Sequence, residues 1–160
     1  MQIPESTVEH QWLLQLVGEW EFDSEFNMGP DQPASQSSGR QSTKSLGALW
    51  TIGEMEGPGP GDEPMRSLIT LGYDPSRNSF VGSFVASCMT YQWLYTGSLD
   101  ATHRILTLNA EGPSFSGDGS MAKYQDIIEL VDSNTYLFLS QFQDAEGNWF
   151  KFMHSKYTRK

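Results

Sequence analysis

The chain has 160 residues, enough for one domain whose core needs neither disulfides nor metal, and 38% of it is apolar, with nine Phe, six Tyr and five Trp. Twenty acids against ten bases leave a net charge of −10, a surface that repels phosphate backbones and anionic lipid headgroups, so neither nucleic acid nor a membrane is expected as a partner. The single cysteine, Cys88, excludes an intrachain disulfide and a cysteine-based zinc site.

The opening segment, MQIPESTVEH, lacks the basic stretch and apolar run of a signal peptide, and nowhere do about eighteen apolar residues run together. The expectation is a soluble, cytoplasmic protein. A helix is predicted over 6–17: Ser6 and Glu9 have the spacing of a capping box, and Trp12, Leu13, Leu16 and Val17 form one apolar stripe. Gly18 ends it. A helix this short is marginal alone and has to dock on an apolar surface.

Period two then takes over, cleanest in GEWEFDSEF (18–26), where Glu19, Glu21, Asp23 and Glu25 alternate with Trp20, Phe22, Ser24 and Phe26. Strands are predicted near 19–27, 39–46, 49–56, 66–74, 79–88, 91–99, 104–110, 121–131, 135–143 and 149–158. The turn clusters between them are rich in Gly, Pro, Asp, Asn and Ser. Ten short strands joined mostly by hairpin-length turns describe an antiparallel up-and-down meander. Closing it into a barrel removes two exposed edges. The expected organisation is all-β, one domain over 1–160, with the barrel spanning 19–158. The segments 27–38 and 57–64 read as surface loops.

The Gly18-Glu19-Trp20 start behind a short helix resembles the calycins, the lipocalin and fatty-acid-binding-protein group. That resemblance implies that Trp20 packs across the closed end of the barrel, under a cation from the last strand. Arg159 is the residue expected there, Lys156 having the opposite parity. The stretches 9–22, 71–87, 106–113 and 156–160 together resemble the bacterial family catalogued as domain of unknown function 1579, over essentially the whole chain. Phe84 and Ala86 depart from that family's pattern, in which Trp and Asp are common. The family has no established activity, so the resemblance implies a fold and no reaction.

Candidate chemistry is sparse. His10, His103 and His154 show no metal-ligand spacing, and neither a nucleophile elbow nor a phosphate loop is present, so no metal and no catalytic residue is assigned. Cys88, in FVASCMTY, reads as a buried inert thiol. The nitrobindin group, also ten-stranded barrels, holds haem through a histidine on its last strand. Aligned to that ending, the ligating position falls at Phe152, about 7 Å from its same-parity neighbour His154. No cofactor is expected.

The aromatic rows carry the functional reading. Trp20, Phe22, Phe84, Trp93, Tyr95 and Tyr124, with Ser24 and His154, are the candidate lining of an interior site for a small apolar or aromatic ligand. The alternative is an enzyme using an inward His or carboxylate, with Asp126 beside His154, or Glu54 and Glu56, as its candidates. A third reading is a structural or self-associating domain, a homodimer held by an exposed apolar patch.

Overall fold

Residues 1–160 are described by a computed structural model. Its one helix, α1 (Val8–Leu14), is shorter than the expected 6–17, because its last turn tightens into i→i+3 bonds from Gln15, Leu16 and Val17. The capping box also sits one residue later than Ser6 and Glu9 suggested. The N-cap is Thr7, whose amide donates to Nδ1 of His10 at 3.0 Å while its hydroxyl accepts from the His10 amide. This register buries His10 with both ring nitrogens used, since Nε2 donates to the carbonyl of Tyr73 at 3.1 Å. The two partners fix the Nε2–H tautomer.

Ten antiparallel strands follow: β1 (Gly18–Phe26), β2 (Ser35–Leu46), β3 (Trp50–Pro58), β4 (Pro64–Asp74), β5 (Ser79–Ala86), β6 (Trp93–Leu99), β7 (Ile105–Pro113), β8 (Met121–Asp132), β9 (Thr135–Gln143) and β10 (Trp149–Arg159). Each pairs with its sequence neighbours, and β1 pairs with β10, so the sheet is a closed up-and-down barrel. The predicted strands match within a few residues. The main gain is β2, which begins at Ser35 inside the segment expected to be loop. Ser35 to Ser38 have little strand propensity of their own; pairing with Phe26 to Asp23 of β1 imposes it. No helix is long and apolar enough to cross a membrane.

In β1 the alternation is kept: Glu19, Glu21, Asp23 and Glu25 are exposed, and Trp20, Phe22 and Ser24 are buried. The helix stopper end of the barrel is solid. Trp12, Leu13 and Leu16 of the helical segment join Trp20, Leu71, Phe80, Leu106, Leu108 and Tyr136 in one buried cluster. Each such side chain contributes about 1.5–3 kcal/mol by burial, which is what holds a helix of seven residues in place. The Trp12 indole donates to the His103 carbonyl at 2.7 Å and so ties the helix to the β6–β7 turn.

The helix leaves C-terminal carbonyls without intrahelical donors, and the barrel supplies them. The Trp20 indole donates to the Leu16 carbonyl at 2.9 Å. Arg159 donates to the carbonyls of Val17 at 2.7 Å and Gln15 at 3.2 Å, and its guanidinium carbon lies 4.2 Å from the Trp20 ring centroid. Gly18 has φ +140, and a Cβ there would collide with that guanidinium. The Gly-x-Trp start is thus one half of a latch completed by the last strand.

Candidate binding cavity

Beyond Trp20 and the floor around Leu71 and Tyr136, the interior is hollow, with a cavity of ≈ 500 Å³. Its shape follows from which residues alternate inward. The β2 and β3 wall presents small or polar groups (Ser37, Gln41, Thr43, Thr51 and Gly53). The opposite wall is aromatic: Phe84 from β5, Trp93 and Tyr95 from β6, Tyr124 from β8, Phe138 from β9 and Tyr157 from β10. Small residues facing large ones leave a void that ten strands do not close. Trp93 reaches its place by lying over Gly112 of β7, where a Cβ would overlap the indole.

The far end carries a collar of Phe26, Met65, Met89, Phe152 and Met153. Phe115, from the β7–β8 loop, lies across it with its ring centroid 5.1 Å from Phe152, 5.4 Å from Phe142 and 5.6 Å from Tyr124. Asp118 shapes that loop by accepting from the Ser116 hydroxyl at 2.8 Å and the Ser120 amide at 2.9 Å. A bond from the Ser120 hydroxyl, first, and then those two hold its carboxyl down at about 2.

One carboxylate projects into the cavity. Asp126 of β8 accepts from the Ser140 hydroxyl at 2.5 Å on one oxygen and from the Tyr95 hydroxyl on the other. Burial pushes its titration above the usual 3.8, and the two hydroxyl bonds oppose that rise. Tyr95 is pushed well above 10.0, first by burial and then by the Asp126 charge and hydrogen bond. Burial, with Asp126 adding, raises Tyr157; burial alone raises Tyr124. Burial is also the main cause at Tyr136, which stacks on Tyr157 with centroids 4.4 Å apart. Other polar groups are paired among themselves: Ser24 with Ser155 at 2.5 Å, Gln41 with Thr43 at 3.1 Å, and the Tyr124 hydroxyl with the Pro113 carbonyl at 2.6 Å.

Of the expected lining, Phe22, Ser24, Phe84, Trp93, Tyr95 and Tyr124 face the cavity; Trp20 lies beneath it under Arg159. His154 does not. A β-bulge between Lys151 and Met153 makes Phe152 an extra residue in β10, so parity reverses there. Phe152 and Met153 both reach the cavity, Ser155 and Tyr157 follow, and His154 is exposed on the outside opposite Glu25. The expected Asp126–His154 couple is therefore separated by the barrel wall. The position implied for a haem-ligating histidine is occupied by the apolar ring of Phe152, and no histidine lines the cavity.

Glu54 and Glu56 also point outward; Glu56 pairs with Arg40 at 2.9 Å and Arg66 at 3.3 Å beside two open surface depressions of ≈ 700 and ≈ 770 Å³. Cys88 is exposed rather than buried, because β5 ends at Ala86 and the chain turns away before it. No group of three or more His, Cys, Asp or Glu converges on a metal-sized site. Phe115, Ser140, Ser155 and Tyr157 were not singled out from the sequence. For the last two the parity signal was hidden by the bulge; for Phe115 the one hint is a lone aromatic in a Ser/Gly/Asp loop.

No curated protein sequence matches the chain significantly. Among solved structures, Rv2717c from M. tuberculosis shares the fold with a TM-score of 0.68 at 12% identity, over 98% of this chain and 99% of that one. EF1p2_mFAP2b bound to DFHBI has a TM-score of 0.50 at 10% identity, over 94% of this chain and 98% of that one. At such identities the likeness is one of fold alone. The sequence profile of a protein family of unknown function, DUF1579, matches residues 5–159, and with the helix, latch and closed barrel all inside that span the chain belongs to this family.

Proposed function

We propose that the protein is a small-molecule binding barrel whose interior takes a compact, largely apolar or aromatic ligand. The observation that carries this is the cavity itself. Its ≈ 500 Å³ falls in the range of about 300–1,000 Å³ typical of small-molecule sites, and hydrophobic residues make up 20 of the 34 that line it. Trp93, Tyr95 and Phe84 were the residues best able to fill the barrel, and they line the space instead. The small molecule DFHBI bound to a barrel of related fold supports the same reading.

The wall offers one inward carboxylate and no imidazole or amine to act with it, which favours binding over acid–base catalysis. Native mass spectrometry of the purified protein, with titration of the neutral probe N-phenyl-1-naphthylamine excited through tryptophan energy transfer, tests the proposal. Saturable binding at one probe per chain is expected. A probe that binds only non-saturably, with no adduct retained in the gas phase, refutes it.

A further inference from the structure

We propose that the cavity selects ligands bearing a protonated amine, held by Asp126, and discriminates against carboxylates and other anions. This rests on the interior being the binding site and names the head group it prefers. Among the residues that line the cavity, Asp126 is the one carboxylate, and no Lys, Arg or His stands beside it. An anion entering the cavity finds no countercharge, whereas a cation finds an oriented one.

The hydrogen-bond pattern points the same way. A carboxylate offers about four lone-pair sites, and Tyr95 and Ser140 occupy one on each oxygen, so each oxygen can still accept a donor from the cavity side. Several of the donors that might have greeted an anion are committed elsewhere. The Tyr95 and Ser140 hydroxyls are turned onto Asp126, Ser24 and Ser155 bond each other, and the Tyr124 hydroxyl serves the Pro113 carbonyl. The Gln41 amide is spent on Thr43 and Tyr136. The wall thus holds its strongest acceptor in place with two hydroxyl donors, and it offers an anion neutral hydroxyls but no cation. A charge-assisted bond from an ammonium to that acceptor is short and strong in a cavity lined mostly by hydrophobic residues, and it relieves the cost of keeping the carboxylate there. The aromatic wall of Trp93, Tyr124 and Phe138 then receives the apolar body of the ligand.

Calorimetric titration of three ligands on one aromatic skeleton, 1-naphthalenemethylamine, 1-naphthalenemethanol and 1-naphthoate, tests this at neutral pH on wild type and Asp126→Asn. In wild type the amine is expected to bind about ten-fold or more tightly than the naphthoate, with the alcohol between them. Asn at 126 keeps the shape and removes one charge of the net −10, so general attraction of cations by the acidic surface persists in the variant. The preference for the amine over the alcohol is expected to vanish there while alcohol binding remains. Naphthoate binding as tightly as the amine, or an amine preference that survives Asp126→Asn, overturns the head-group assignment. If the alcohol binds and the three show no order, selectivity fails and the interior site stands. If none of the three binds, the interior site fails with it.

Discussion

Replacing Arg159 with Met keeps most of the apolar stem and removes the guanidinium that fastens β10 to β1 and to the end of the helix. Three losses follow from the geometry. The cation over Trp20 at 4.2 Å is worth about 1 kcal/mol at a partly shielded site. The half-buried bond to the Val17 carbonyl at 2.7 Å, made by a charged donor, is worth about 1.5 kcal/mol. The bonds to Gln15 at 3.2 Å and Ser133 at 3.0 Å are exposed, so water replaces them at a cost of about a few tenths of a kcal/mol each. Arg159→Met is therefore expected to destabilise the protein by about 2–4 kcal/mol, lowering Tm by about 5–12 °C for a chain of this length. Urea denaturation followed by circular dichroism, with m compared to confirm an unchanged unfolding surface, measures it. Arg159→Lys keeps a charge near the indole but cannot span three carbonyls, and should fall in between. A loss below about 0.5 kcal/mol for Arg159→Met, the size of an ordinary surface change, would refute the latch.

Gly18→Ala should damage the same latch from the other side, by about 1–3 kcal/mol, because it strains a φ of +140 and pushes into the guanidinium; stability equal to wild type in the same urea assay would contradict this. Asp126 gives a pH signature of known sign. Its folded titration lies above 3.8, so the folded state binds more protons than the unfolded one between those two values, and this group makes stability fall as pH rises through that window. The groups facing it are the phenols of Tyr95, Tyr124, Tyr136 and Tyr157, all raised and so neutral there. Asp126→Asn should remove that component, so the difference from wild type changes as pH rises through the window and is constant above and below it; a flat difference across pH speaks against a desolvated carboxylate. Phe115→Ala should leave stability within about 0.5 kcal/mol, since the ring is half exposed, yet raise the dissociation rate of a cavity probe by about three- to ten-fold in stopped-flow displacement. An unchanged rate means that Phe115 does not cover the mouth.

The fold and one end of it were legible in the patterning of the chain. Strict alternation in GEWEFDSEF, turn clusters at hairpin spacing and ten strand-like runs leave closure as the way to avoid exposed edges, and β1 behaves accordingly. The helix was legible from its apolar stripe, and Trp20 with Arg159 from the resemblance at the two chain ends. These are local patterns, or pairings of the first strand with the last, which closure enforces.

The site was not legible in the same way, because its parts meet only through register and irregularity. Asp126 faces Ser140 because β8 and β9 pair in one particular register. Tyr95 reaches the same carboxylate across β7, past Leu108, which stands opposite both Gly97 and Asp126. No spacing along the chain encodes that meeting. The bulge at Phe152 reversed the parity of β10, sending His154 outside and Tyr157 inside, and a single inserted residue leaves no mark in an alternation only a few residues long. Hollow or filled was equally undecided: the same aromatic rows pack a core or line a cavity, depending on the small residues that β2 and β3 set against them. That complementarity across the barrel is a property of volume in three dimensions, and only the closed structure expresses it.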